Sequence, residues 1–151
     1  MIPLINAKQS SNYPKDARRT ADKAVDLDLG LGDDSQPSCT GRSRPMWWTA
    51  ELPEATIMTI ELYISRHSSK QLGKLKLETR LSDKDAWKTC VDDHTVTKPI
   101  RPHVIRCNDV TVAKELKISM TGGKEMCFRE VRVLGTRSSS NGKQFCHLKT
   151  L

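Results

Sequence analysis

The strongest constraint on the fold is an alternation. Leu75, Leu77 and Thr79 alternate with Lys76, Glu78 and Arg80, the two-residue period of a strand with one buried face. Val131 and Val133 alternate with Glu130 and Arg132 in the same way. Ile57 to Ile64, Val104 to Cys107, Glu115 to Met120 and Met126 to Leu134 supply further strand-forming runs. Turn pairs lie between them: Ser82-Asp83, Asp92-Asp93, Asn108-Asp109 and Gly122-Gly123. Helical periodicity is weak, and Pro14 to Val25 reads as a short helical turn inside a loop. Short strands without long helices between them predict an all-β antiparallel sandwich or jelly roll.

At 151 residues, 36% of them hydrophobic, the chain is long enough for one domain with its own core. From Thr136 onward serines, Asn141-Gly142 and scattered basic residues replace the strand pattern. A domain over 1–135 and a flexible tail over 136–151 are therefore expected. There is no apolar run approaching the roughly 20 residues that span a bilayer. The 25 basic and 18 acidic side chains give a formal charge of +7, which suits an acidic partner. The basic residues are scattered rather than gathered on a helix, so specific nucleic-acid binding is not expected. The sequence shows no nucleophile elbow, catalytic acid pair or Gly-rich phosphate loop, so it does not read as an enzyme.

Cys39, Cys90, Cys107, Cys127 and Cys146 are widely spaced, with no CxxC pair. That pattern favours disulfides in an oxidising, extracellular compartment. Met1-Ile2-Pro3-Leu4 is too short for a secretory signal, so a mature or excised piece is expected. Cys90-x3-His94 and His103-x3-Cys107 also carry the ligand types of a tetrahedral zinc site. The spacing is not that of a zinc ribbon, and disulfide bonding is the favoured reading.

Several short elements then occur in one order: Gln9-Ser10-Ser11, Ala24-Val25-Asp26, Ser38-Cys39-Thr40, Pro45-Met46-Trp47-Trp48 and Glu130-Val131-Arg132-Val133. Over about residues 4–135 this order resembles the F-type lectin (fucolectin) domain, a relative of the discoidin and coagulation factor V/VIII C domains. The resemblance implies an eight-stranded antiparallel jelly roll, a galactose-binding-domain-like sandwich. It implies disulfides Cys39–Cys127 and Cys90–Cys107. Cys146 is then left over in the tail, free or linked to another chain.

The resemblance also implies a Ca²⁺ site. Its positions are the carbonyls of Lys23 and Asp28, the Asp26 carboxylate, Ser38 and Glu130. Hard Ca²⁺ takes six to eight oxygens, and the 23–38 stretch adds Asp33 and Asp34. Leu27 and Asp28 stand where Gly and Asn are usual in the family. The alternative is that Asp26 only caps its loop and Glu130 is a surface strand residue. The implied sugar motif is a His, an Arg, an Asp and a further basic residue, whose donors and acceptors suit sugar hydroxyls. Here Gly41 occupies the His position and Ser68 the Asp position. Arg66 matches the Arg, and the last basic position falls on Lys70, Gln71 or Lys74. The carbohydrate-binding candidates are Arg66, His67 and Lys70, with His67 as a replacement donor. Trp47, Trp48 and Trp87 are expected to build the core, given the area such rings bury. The implied function is an extracellular lectin module for fucose or a related glycan or glycoprotein. The alternative is an adhesion module of the same fold for a protein or an anionic surface.

Overall fold

One long strand organises the molecule. In the computed structural model, which describes residues 1–29, 36–64, 72–96 and 102–138, β3 runs unbroken from Met46 to Tyr63. Its first half pairs with β1 (Ile5–Gln9) and β7 (Thr111–Thr121), and its second half with β6 (His103–Ile105) and β9 (Glu130–Arg137). The register shifts between Glu51 and Ala55, around Pro53, whose missing N–H suits an irregular position. A bulge of this kind lets one strand pass from one layer of a sandwich to the other. β7 pairs onward with β4 (Lys74–Arg80), and β4 with β5 (Lys88–His94). All these pairings are antiparallel. A separate short pair, β2 (Ser38–Cys39) and β8 (Cys127–Phe128), completes the sheets.

Nine strand segments are therefore present among the described residues, rather than eight. The extra segment arises because the expected strand from Met126 to Leu134 divides. Cys127 and Phe128 pair with β2, while Glu130 onward pairs with β3. The last strand continues to Arg137, opposite Ala55. Cys146 and residues 139–151 lie outside the described residues. The helical turn is a four-residue 3-10 turn at Ala21–Ala24. Asp92-Asp93 is a bulge rather than a turn: these two residues of β5 lie opposite the single Lys76 of β4, and Asp93 has φ 55°.

The core is what the alternation predicts. Leu75 and Leu77 of β4, Leu116 and Ile118 of β7, and Val131 and Val133 of β9 are buried. Trp48 is 1% exposed, and Phe128 and Met126 close the same cluster. Gly135 allows β9 to meet β3, because a Cβ there would collide with the Thr56 carbonyl oxygen. Cys39–Cys127 and Cys90–Cys107 are both disulfides, the pairing that the resemblance implied. The first joins β2 to β8 across 88 residues of sequence. The second uses both sulfurs of the Cys/His pattern, which leaves no tetrahedral zinc set there. His94 and His103 remain beside it as an edge-on ring pair 5.8 Å apart.

Trp47 and Trp87 correct an expectation. They are half-buried on the outer face of the sheet, not in the core. Trp47 and Trp48 are successive residues of a strand, so the pleat sends them to opposite faces.

Candidate functional site

The Gln9-Ser10-Ser11 element is a clamp on the loops between β1 and β3. The Gln9 amide donates to the carbonyls of Ser11, Arg19 and Cys39 at 3.0, 3.1 and 2.9 Å. Its own oxygen accepts from Ser38 Oγ at 2.9 Å. Ser10 Oγ accepts from Trp47 N–H, and Ser11 Oγ from Gly41 N–H. Trp48 Nε1 donates to the Ala21 carbonyl at 3.0 Å, tying the 3-10 turn to the core. These bonds satisfy buried polar groups that a loop would otherwise leave orphaned.

The clamped turn leads into residues 25–28, which fold over the start of β9. Asp28 N–H donates to Asp26 Oδ1 at 3.0 Å, an Asx turn. Leu27 follows with φ 66°. That left-handed conformation costs an L side chain roughly 1–2 kcal/mol and costs glycine nothing. The Leu27 departure is thus a strained residue, 60% exposed, in a backbone shape suited to Gly. The shape brings Leu27 N–H to Glu130 Oε2 at 3.1 Å.

Glu130 is the unusual residue of the site. It is 1% exposed, so it is not the surface strand residue that the alternative reading required. Burial raises its carboxyl above the usual range; the Leu27 N–H and the Arg132 charge oppose this, and the Asp26 charge adds to it. Arg132 Nε lies 3.6 Å from Glu130 Oε1 and is buried without a hydrogen-bond partner. The guanidinium lies 4.9 Å from the centre of the Tyr63 ring. Burial also raises the Tyr63 phenol, which donates to Glu61 at 3.1 Å.

The structure therefore brings Leu27 onto Glu130 and the Asp26 charge close to it, with Asp28 bonded to Asp26. Lys23 Nζ pairs with Asp26 Oδ2 at 3.5 Å. Ser38 is buried, with its hydroxyl donated to Gln9. Among the described residues no three His, Cys, Asp or Glu side chains converge as a metal cluster. The side-chain oxygens on offer are the Asp26 and Glu130 carboxylates. This all-oxygen set is of the kind a hard cation takes, and Glu130 is a buried carboxylate whose one charged partner among the described residues, Arg132, stands at 3.6 Å. Asp33 and Asp34 lie outside the described residues, as do all three sugar candidates, Arg66, His67 and Lys70.

Sequence reasoning missed the outer sheet face. Trp47, Trp87, Arg80, Lys117, Glu51 and Glu115 meet there around a cleft of about 290 Å³. The signal was available in the Met46-Trp47-Trp48-Thr49-Ala50 alternation.

No protein-family model matches the sequence, and no curated protein matches it. The fold, however, is shared with solved structures. The serum fucolectin of striped bass, Morone saxatilis, is 18% identical, with a TM-score of 0.76 over 89% of this chain and 47% of that one. A fucose-binding module of Streptococcus pneumoniae is 18% identical, with a TM-score of 0.68 over 85% of this chain and 89% of its own. A pectin-binding carbohydrate-binding module is 13% identical, with a TM-score of 0.71 over 88% and 91%. The chain thus spans about half of the fucolectin and nearly all of the two modules. At these identities the likeness is one of fold, and the chain has the β-sandwich of these carbohydrate-binding proteins.

Proposed function

We propose that this protein is an extracellular, non-catalytic carbohydrate-binding module, stabilised by calcium, for fucose or a related glycan. The observation that carries this reading is the fold shared over most of the chain with proteins that bind fucose and pectin. Two disulfides support an oxidising compartment. The buried Glu130 beneath the Asp26–Asp28 turn supports calcium, with the Asp26 and Glu130 carboxylates and the Lys23 and Asp28 carbonyls as ligands beside Ser38. Bound there, the cation would add positive charge to a buried carboxylate that has one backbone N–H at 3.1 Å and the Arg132 guanidinium at 3.6 Å. Arg66, His67 and Lys70 are the proposed sugar donors.

A glycan array with calcium and with chelator tests the reading, with fucosylated, other neutral and sulfated sugars displayed. Calcium-dependent capture of a neutral fucosylated glycan, lost in an Arg66→Ala/His67→Ala variant, is expected. Capture of anionic sugars alone, disappearing as salt is raised, would overturn it in favour of a charge-driven adhesion surface.

A further inference from the structure

We infer that the outer face of the sheet carries a second glycan-binding cleft, separate from the 66–70 loop, that takes a neutral mono- or disaccharide. The strand register builds it in rows. Trp47 lies opposite Ser119, Thr49 opposite Lys117, and Glu51 opposite Glu115. On the other side of β7, Lys117 faces Glu78 and Glu115 faces Arg80. The loop between β4 and β5 then stands Trp87 against this face as a wall. Trp87 is fixed there by Arg80, 4.3 Å from its ring centre, and by Lys117 at 5.4 Å. Arg80 is itself held by two bonds to Glu115, at 2.7 and 3.0 Å, and one to the Asp83 carbonyl. The wall is therefore preorganised before any ligand arrives, which lowers the cost of binding.

Trp47 is the open platform. Among the described residues no aromatic or cationic group stacks on its ring, and neither its indole N–H nor that of Trp87 has a hydrogen-bond partner. The buried Trp48 differs on this point, because its N–H is taken by Ala21. Tryptophan pairs an apolar ring face with a polar donor, which suits the C–H face and hydroxyl rim of a pyranose.

The edge strand contributes polar groups of both kinds. β1 carries a bulge, in which Asn6 and Ala7 together lie opposite Ala50, and Asn6 has φ 51°. Bulges re-aim side chains. Here Asn6 and Lys8 both line the cleft, and Asn6 Nδ2 donates to Glu51 Oε2 at 2.8 Å. Asn6 Oδ1 and Glu51 Oε1 are then acceptors, while Lys8 and the indoles are donors. Among the described residues Lys8 has no ion-pair partner.

This inventory selects the ligand class. Lys8, Arg80 and Lys117 face Glu51 and Glu115, so a ligand of either sign meets a like charge inside the cleft. A polyhydroxyl ligand uses donors and acceptors together. The volume, near the lower edge of the roughly 300–1,000 Å³ typical of small-ligand sites, admits one or two sugar units rather than a long chain.

The test is an NMR titration of the intact protein that follows the three indole N–H signals. The probes are methyl fucoside, lactose, cellobiose and chitobiose, with digalacturonate as the anionic contrast. Saturable shifts of the Trp47 and Trp87 signals with a neutral probe, and none at Trp48, are expected. They should persist in an Arg66→Ala/His67→Ala/Lys70→Ala variant, so the loop reading and this one fail separately. Trp47→Ala should weaken the binding about tenfold or more while leaving the backbone spectrum folded. Lys8→Ala, on an exposed edge, is the second variant and should weaken it without affecting the fold. The inference is overturned if no neutral probe moves the two signals well above roughly 1 mM, the weak end of specific binding. Shifts with digalacturonate alone, or shifts that vanish in the loop variant, overturn it equally.

Discussion

The two faces of β3, β7 and β4 share a backbone and almost nothing else. Inside, Trp48, Leu116, Ile118, Leu75 and Leu77 are buried apolar groups. On the other face, the chain neighbours of those residues are Trp47, Lys117, Ser119, Lys76 and Glu78. The inner face does one task, removal of apolar area from water. The outer face holds a connected set of charges: Glu78 takes Lys76 at 2.9 Å and Lys117 at 3.6 Å, and Glu115 takes Arg80. Two indoles stand among these charges. Stability therefore belongs to one side of the sheet, and recognition is available to the other.

The adjacent tryptophans give the largest test of that division. Trp48→Ala should cost about 3–5 kcal/mol in urea unfolding, through lost burial and the cavity left behind. Trp48→Phe should cost about 1–3 kcal/mol, because it leaves the Ala21 carbonyl without its donor. Trp47→Ala should cost no more than about 1 kcal/mol, since its ring is only half-buried. Comparable losses at 47 and 48 would mean that both faces support the fold and would remove the distinction.

Glu130 breaks the rule that charges belong outside, and this is the next largest effect. Its carboxyl is raised by burial. Without a cation, its contribution is complete at pH below the unfolded carboxyl value of about 4.3. It is lost as pH rises through the higher folded value, because the folded state resists ionisation. Glu130→Gln should flatten that loss and melt no earlier than the parent at neutral pH in chelator. With calcium at 100 times its dissociation constant, the parent should gain about 2.7 kcal/mol and the variant almost nothing. Melting curves with and without calcium decide it, and an unresponsive parent removes calcium from the functional reading.

Much of the fold was legible because it follows local rules. The alternation predicts burial of Leu75, Leu77, Thr79, Val131 and Val133, and they are buried, but it does not foresee that Glu78 and Glu130 on the polar positions are buried too. The Gly122-Gly123 turn follows β7, with φ values of 73° and 66°. Other features depend on distant neighbours. Gln9 reads as one polar residue in a motif, yet its role comes from carbonyls 10 and 30 residues away. The Cys39–Cys127 pairing came from a resemblance, since the spacing of five cysteines leaves the pairing open. Asp92-Asp93 carries the composition of a turn, but pairing with β4 on both sides makes it a bulge. Leu27 shows the converse. Its departure from Gly is visible in sequence, but its φ and its contact with Glu130 are not. Trp47 follows the two-residue period rather than its aromatic bulk, so it lies opposite Trp48 on the outer face.

The smallest predicted effect separates a built outer face from an ordinary charged surface. Arg80 and Glu115 are each about four-fifths buried and joined by two bonds on neighbouring strands. Lys74 and Asp93 form a pair at 3.2 Å at the other end of β4, but their side chains are 59% and 70% exposed. Water screens the second pair, and holding two long side chains in place costs entropy, so it should contribute close to nothing. In the first pair Arg80 Nε and Nη2 both donate to one oxygen of Glu115, Oε2, as charge-assisted bonds, and the guanidinium also positions Trp87. Double-mutant cycles with alanine should give a coupling of about 0.5–1 kcal/mol for Arg80–Glu115 and less than about 0.3 kcal/mol for Lys74–Asp93. Raising the salt should erase the second and leave most of the first, because partly buried pairs are screened less. Equal and negligible couplings would reduce the outer face to a solvated sheet, and Trp87 would then have no fixed place from which to receive a sugar.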